Sequence, residues 1–170
     1  LEMFSRMLAP VLSFTADEIW QNIPGERAES IFLTNFADAP DLLPESDEFS
    51  DEFWQQVMAV KTAVNKELES KRAAKEIGSG LSAEVDLYCD ASLQAGLQRL
   101  GEELRFVLIV SRATLHKADT ATSECVATEV PGLSLHVSAS QEDKCERCWH
   151  HRSDVGSDAK HPTLCVRCVD

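Results

Sequence analysis

Cys145-Glu146-Arg147-Cys148 and Cys165-Val166-Arg167-Cys168 stand near the end of the chain with 16 residues between them. A two-residue gap lets one tight turn aim two sulfurs at the same point. Two such turns joined by a hairpin complete a tetrahedral four-sulfur shell around an ion, with Zn–S bonds of about 2.3 Å. The 16-residue separation falls in the range that marks zinc sites. The spacing therefore predicts one structural Zn2+ held by Cys145, Cys148, Cys165 and Cys168. Four thiolates fill the coordination sphere and leave no position for an activated water, so the ion is not catalytic. Two redox dithiols are the competing reading, but such motifs come singly in a βα setting.

Working outward, His150, His151 and His161 are surplus to a complete sulfur set and are expected at the surface. Cys89 sits on the apolar face of a strand pattern and is expected in the core, and Cys125 as a loop thiol. Spacing alone has Trp149 packing over the metal core, with Arg147 and Arg167 screening the thiolates. An aromatic ring and a guanidinium fixed by a metal turn are also the groups that stack on and pair with unstacked RNA bases.

Upstream, the apolar positions Phe53, Val57, Val60, Val64 and Leu68 recur at spacings of four and three, which predicts a long helix over 53–77. Its other face carries Lys61, Lys66, Lys71, Arg72 and Lys75, a candidate surface for phosphates, and Gly78 and Gly80 are expected to end it. Before it, residues 1–22 read as helix, with Leu1, Phe4 and Leu8 on one face and Pro10 interrupting the pattern. Thr15-Ala16-Asp17-Glu18 fits a capping box for a second start, with Ile19 and Trp20 facing inward. Pro24-Gly25 marks a turn. Seven acidic residues and no basic ones between Asp38 and Glu52 read as a solvated connector.

After the long helix the period changes to two. Leu81, Ala83, Val85, Leu87 and Cys89 alternate with polar residues as a strand. A short helix over 91–100, a second strand over 104–114 and a third around Leu133, Leu135 and Val137 follow, with 117–128 as loop. The fold class is α+β: a helical segment (1–80), a small βαββ domain (81–138) and a C-terminal four-cysteine zinc finger (139–170).

The chain has 170 residues and 44% are hydrophobic, enough for a packed core. No apolar run approaches the roughly 20 residues of a membrane span, and the N-terminus lacks a secretory pattern. Starting without Met inside a helix, the sequence reads as part of a longer protein. Its net charge of −13 argues against nucleic-acid binding through bulk electrostatics. Residues 139–170, however, hold five basic and six acidic residues, so RNA contact here is local.

The string Cys145-Glu146-Arg147-Cys148-Trp149-His150, then Asp154-Val155-Gly156 and Leu164-Cys165-Val166-Arg167-Cys168, closely resembles the C-terminal zinc finger of bacterial isoleucyl-tRNA synthetases. Residues 9–20 (Ala-Pro-Val-Leu-Ser-Phe-Thr-Ala-Asp-Glu-Ile-Trp) resemble the end of the helical anticodon-binding domain of the same enzymes. Val64-Asn65-Lys66-Glu67-Leu68-Glu69 and Lys75-Glu76-Ile77-Gly78-Ser79-Gly80-Leu81 resemble the helix and turn leading out of it, and residues 100–106 the small domain that follows. The helical segment alone fits valyl and leucyl relatives too; the finger selects the isoleucyl enzyme. The resemblance implies a part of a ligase that attaches isoleucine to tRNA-Ile with ATP. It implies four cysteines on zinc and Arg147 and Trp149 on the anticodon, with Arg167 and the helix cations as further candidates. It also implies the catalytic and editing domains as partners, a monomer, and a cytoplasmic setting without membrane or DNA. Catalytic signatures of HIGH and KMSKS type are absent, so this stretch alone is expected to be inactive. The chain also stops two residues after Cys168, before the family's usual short tail. Two other readings remain: the finger of a formamidopyrimidine-type DNA repair glycosylase, and a zinc-stabilised protein-interaction domain.

Overall fold

The computed structural model describes residues 1–35 and 49–169; the acidic connector expected after Asp38 lies mostly outside them. The chain divides into two compact units, residues 1–46 and 47–170.

In the first unit, α1 (Glu2–Leu8) and α2 (Ser13–Asn22) pack around Ala9, Ala16, Trp20 and Ile31. The Trp20 indole donates to the Ala28 carbonyl at 2.9 Å, which satisfies its one polar group. Asp17 accepts from the Ile31 amide and the Ser30 hydroxyl, and these bonds hold its carboxyl below the usual range. The break at Pro10 is observed. The capping box is not: α2 begins at Ser13, and the Ala16 amide already bonds the Leu12 carbonyl, so Thr15 lies inside the helix. Ser5 and Ala9 face the core instead of Leu1 and Phe4, which are exposed. Small residues are what let two short helices approach this closely.

In the second unit, Ser50 caps α3 (Asp51–Ala73) by accepting from the Phe53 amide. All five expected apolar positions are buried. The helix ends earlier than its glycines suggest. Lys75 turns left-handed, and the Lys75 and Glu76 amides bond the Arg72 and Lys71 carbonyls. That is a Schellman closure with lysine where glycine is usual.

The stripe of α3 packs on a four-stranded sheet of order β2-β1-β4-β3, made by β1 (Ala83–Cys89), β2 (Arg112–Lys117), β3 (Val126–Ala127) and β4 (Leu133–Ala139). β1 runs parallel to β2 and antiparallel to β4. The parallel pair needs a crossover, which α4 (Ala91–Gln98) and α5 (Leu104–Leu108) supply. One core thus joins Phe53, Val57, Val60, Val64 and Leu68 to Val85, Leu87, Leu135 and Val137, so the boundary expected at residue 80 falls inside one packed unit.

The second strand begins at Arg112, not Leu104. Leu104 and Leu108 are buried one helical turn apart, and Ile109 reverses the chain at φ 59°. A short apolar run suits a buried helix as well as a buried strand. The expected loop 117–128 contains the two-residue β3, paired to β4.

Candidate metal centre

The finger is built from two knuckles. In the first, Cys145 donates its amide to the His150 carbonyl and accepts from the Trp149 amide, both at 2.9 Å, while Lys144 and His151 form an antiparallel bridge. The turn closes because Trp149 adopts φ 66°. In the second, the Cys168 amide bonds the Cys165 carbonyl at the start of α6 (Val166–Val169). Glu146 N–H to Thr163 O, at 3.1 Å, ties the knuckles together.

The four Sγ atoms lie within 4.8 Å of one another. Cys148 and Cys165 Sγ are 3.7 Å apart, far beyond a disulfide bond. A tetrahedral shell with bonds of about 2.3 Å has edges of about 3.8 Å, so the sulfurs already stand at metal-site spacing. Cys145 and Cys165 are fully enclosed, with Val155 and Leu164 packed beside them.

Burial raises the Cys145 thiol, but amide hydrogen bonds from Cys148, Cys165 and Arg147 outweigh it and bring the group down to about 6. Burial and the neighbouring thiols push Cys168 up to about 12. Four sulfurs this close cannot all carry charge without a cation among them. The donor set fits a soft divalent ion held in a closed site.

The structure brings Arg147, Trp149 and Arg167 to this end of the molecule in different states. Arg147 Nη1 donates to the Cys168 carbonyl at 2.6 Å and so braces one knuckle against the other. Trp149 does not cover the metal core: it is 59% exposed, its indole N–H bonds the Glu146 carbonyl, and Lys144 Nζ lies 5.0 Å from its ring. The Arg167 guanidinium lies over Phe106 at 4.2 Å. His150 is buried, against expectation, with its ring edge-on to Phe106 at 5.4 Å. The docking of the finger on α5 requires this burial.

The helix cations form no continuous basic face. Lys66 pairs with Glu129, Lys71 with Glu76 and Arg72 with Glu69. Lys61 is half-buried, and Lys75 occupies the left-handed helix end. No hydrogen bond or ion pair among the described residues joins any of the five to the finger. Sequence reasoning missed Arg105, Phe106 and Ser111, which meet the finger from roughly forty residues upstream; no local spacing could have marked them.

Residues 1–87, half of the chain, match the family described as the anticodon-binding domain of tRNA ligase. The chain belongs to that family. Residues 142–170 match the zinc finger found in FPG and IleRS, in agreement with a metal site at the four cysteines. Along 99% of its length the chain is 54% identical to an isoleucine–tRNA ligase of Pseudomonas paraeruginosa and to one of Pseudomonas putida. It is 50% identical to that of a Marinomonas species. It spans 18% of the length of these relatives. An anticodon-binding family member therefore carries, in one chain, the metal knuckles and an exposed tryptophan beside them.

Proposed function

We propose that this chain is the C-terminal tRNA-recognition portion of an isoleucine–tRNA ligase, in which a structural Zn2+ on Cys145, Cys148, Cys165 and Cys168 fixes the finger against the anticodon of tRNA-Ile. The observation that carries this reading is Trp149. A tryptophan in the left-handed region costs roughly 1–2 kcal/mol that glycine would not, yet the residue is 59% exposed. Strain kept for an exposed aromatic ring supports a ligand-facing role, and a base stacked on such a ring contributes about 1–3 kcal/mol.

Arg147 acts in this reading chiefly by bracing the two knuckles, with its remaining donors turned to RNA, and Arg167, stacked over Phe106, is a second candidate contact. The paired helix cations Lys66, Lys71 and Arg72 make the phosphate role of α3 secondary; Lys61 and Lys75 complete that set. In the family's terms residues 1–80 end the helical domain, 81–138 form the small α+β domain and 139–170 the finger. Aminoacylation belongs to the catalytic domain of the whole ligase, which also carries an editing domain and acts as a cytoplasmic monomer. Among the described residues no helix is long and apolar enough to cross a membrane.

The test is elemental analysis followed by titration with tRNA-Ile and a non-cognate tRNA. About one zinc per chain and a preference for tRNA-Ile that Trp149→Ala abolishes are expected. Equal affinity for the two tRNAs in a zinc-loaded sample would overturn the anticodon role.

A further inference from the structure

Where the finger meets α5, two buried polar atoms have no hydrogen-bond partner among the described residues: Arg105 Nε and His150 Nε2. Arg105 is only 8% exposed. Its nearest acid is Glu102, whose Oε2 lies 3.4 Å from Nε but on a largely exposed side chain, where water screens the attraction. Burial and the nearby Arg152 and Arg167 guanidiniums disfavour its charge. Such a group needs an anion close by.

Arg105 and Arg152 line a cavity of about 190 Å³ together with Ser111 and Ser153. Three glutamates also border it. Glu84 is taken by Arg112 and by the Ser140 hydroxyl, Glu142 is exposed, and Glu102 reaches outward. Arg152 is held by both oxygens of Asp154, at 3.0 and 3.2 Å. The Arg105 guanidinium is thus buried over the Phe106 ring with no side-chain hydrogen bond to a described residue and Glu102 as its ion-pair partner, in a chain whose net charge is −13. Arg152 and Trp149 are three residues apart in the chain, at most about 11 Å of extended backbone.

We propose that this cavity binds one phosphodiester group of an RNA strand whose base stacks on Trp149. The proposal rests on the RNA-recognition reading and adds to it a backbone subsite. A phosphodiester carries a single negative charge. Its oxygens accept from the Arg105 fork and the Ser153 hydroxyl, and it displaces the exposed Glu102 carboxylate. The competing account is that Arg105 and Arg152 only offset the charge of the zinc-bound thiolates, in which case no external anion binds.

Side-chain Nε–H correlations of the zinc-loaded full chain, titrated with dimethyl phosphate and then with inorganic phosphate, decide between the two. The Arg105 resonance is expected to shift saturably with dimethyl phosphate while that of exposed Arg99 stays in place. No Arg105 response to either anion overturns the proposal. A response to inorganic phosphate alone overturns its RNA part, since the cavity then takes only a free phosphate. In tRNA binding, Arg105→Gln should reduce the slope of log K against log salt by about 0.7–0.9, one phosphate contact, with zinc content unchanged and the slope retained in Arg105→Lys. An unchanged slope in Arg105→Gln counts against the subsite. A wild-type chain that binds no tRNA sinks the recognition reading instead, and the dimethyl phosphate titration still judges the cavity.

Discussion

The His151 amide donates to Ser111 Oγ at 2.6 Å, and Ser111 Oγ donates in turn to the Leu81 carbonyl at 2.5 Å. One buried hydroxyl at the entrance to β2 therefore ties the finger to the chain that leads into β1. Ser111 itself is anchored, because its amide bonds the Ala83 carbonyl at 3.0 Å.

Ser111→Ala removes both bonds and leaves a donor and an acceptor unpaired in a closed setting. The expected loss is about 1–3 kcal/mol of stability, read from the urea midpoint, with faster hydrogen exchange at the His151 amide. A midpoint equal to wild type would show that water replaces the hydroxyl without cost.

Removing the metal with a chelator should unfold the finger and leave the sheet intact. The sulfur cluster (Cys145, Cys165, Cys168) and the core under α3 share no buried residue. Exchange protection is expected to vanish over residues 142–169 and to persist in β1 and β4, and Cys165→Ser should behave alike. Loss of protection throughout the sheet would mean that the metal holds the whole unit.

Cys89 gives a pH dependence at a distance from the metal. Burial, helped by Asp90, pushes its thiol up to about 11 from the ordinary 9.0. The folded state holds the proton longer than the unfolded chain, so this contribution is present below about pH 9 and is lost as pH rises towards 11. Measured against wild type, Cys89→Ala should flatten the alkaline fall of stability, whatever its own cavity cost. Parallel curves for the two proteins would rule out the thiol as the cause.

Trp149→Gly separates metal binding from recognition. Relief of the left-handed strain should raise the stability of the zinc-loaded finger by about 1 kcal/mol. Affinity for tRNA-Ile should fall by about 1–3 kcal/mol, one stacked base. A variant with undiminished tRNA affinity would remove Trp149 from the RNA surface.

The sequence by itself determined the metal site and the stripe of α3. Both are local patterns: Cys145, Cys148, Cys165 and Cys168 converge because each pair needs only a tight turn, and Phe53 through Leu68 share a face because a helix repeats every 3.6 residues. The strands at Val85 and Leu135 were legible for the same reason, through a period of two. Tertiary structure alone decided that Phe106–Leu108 is helix: the parallel pairing of β1 with β2 calls for a crossover between them, and a short apolar run is silent on its own conformation. It also decided that α3 shares a core with the sheet, that His150 is buried and Trp149 exposed, and that Arg105 and Ser111 meet the finger. Those outcomes depend on which distant surfaces close over one another, and burial is a property of the folded neighbourhood, not of the residue.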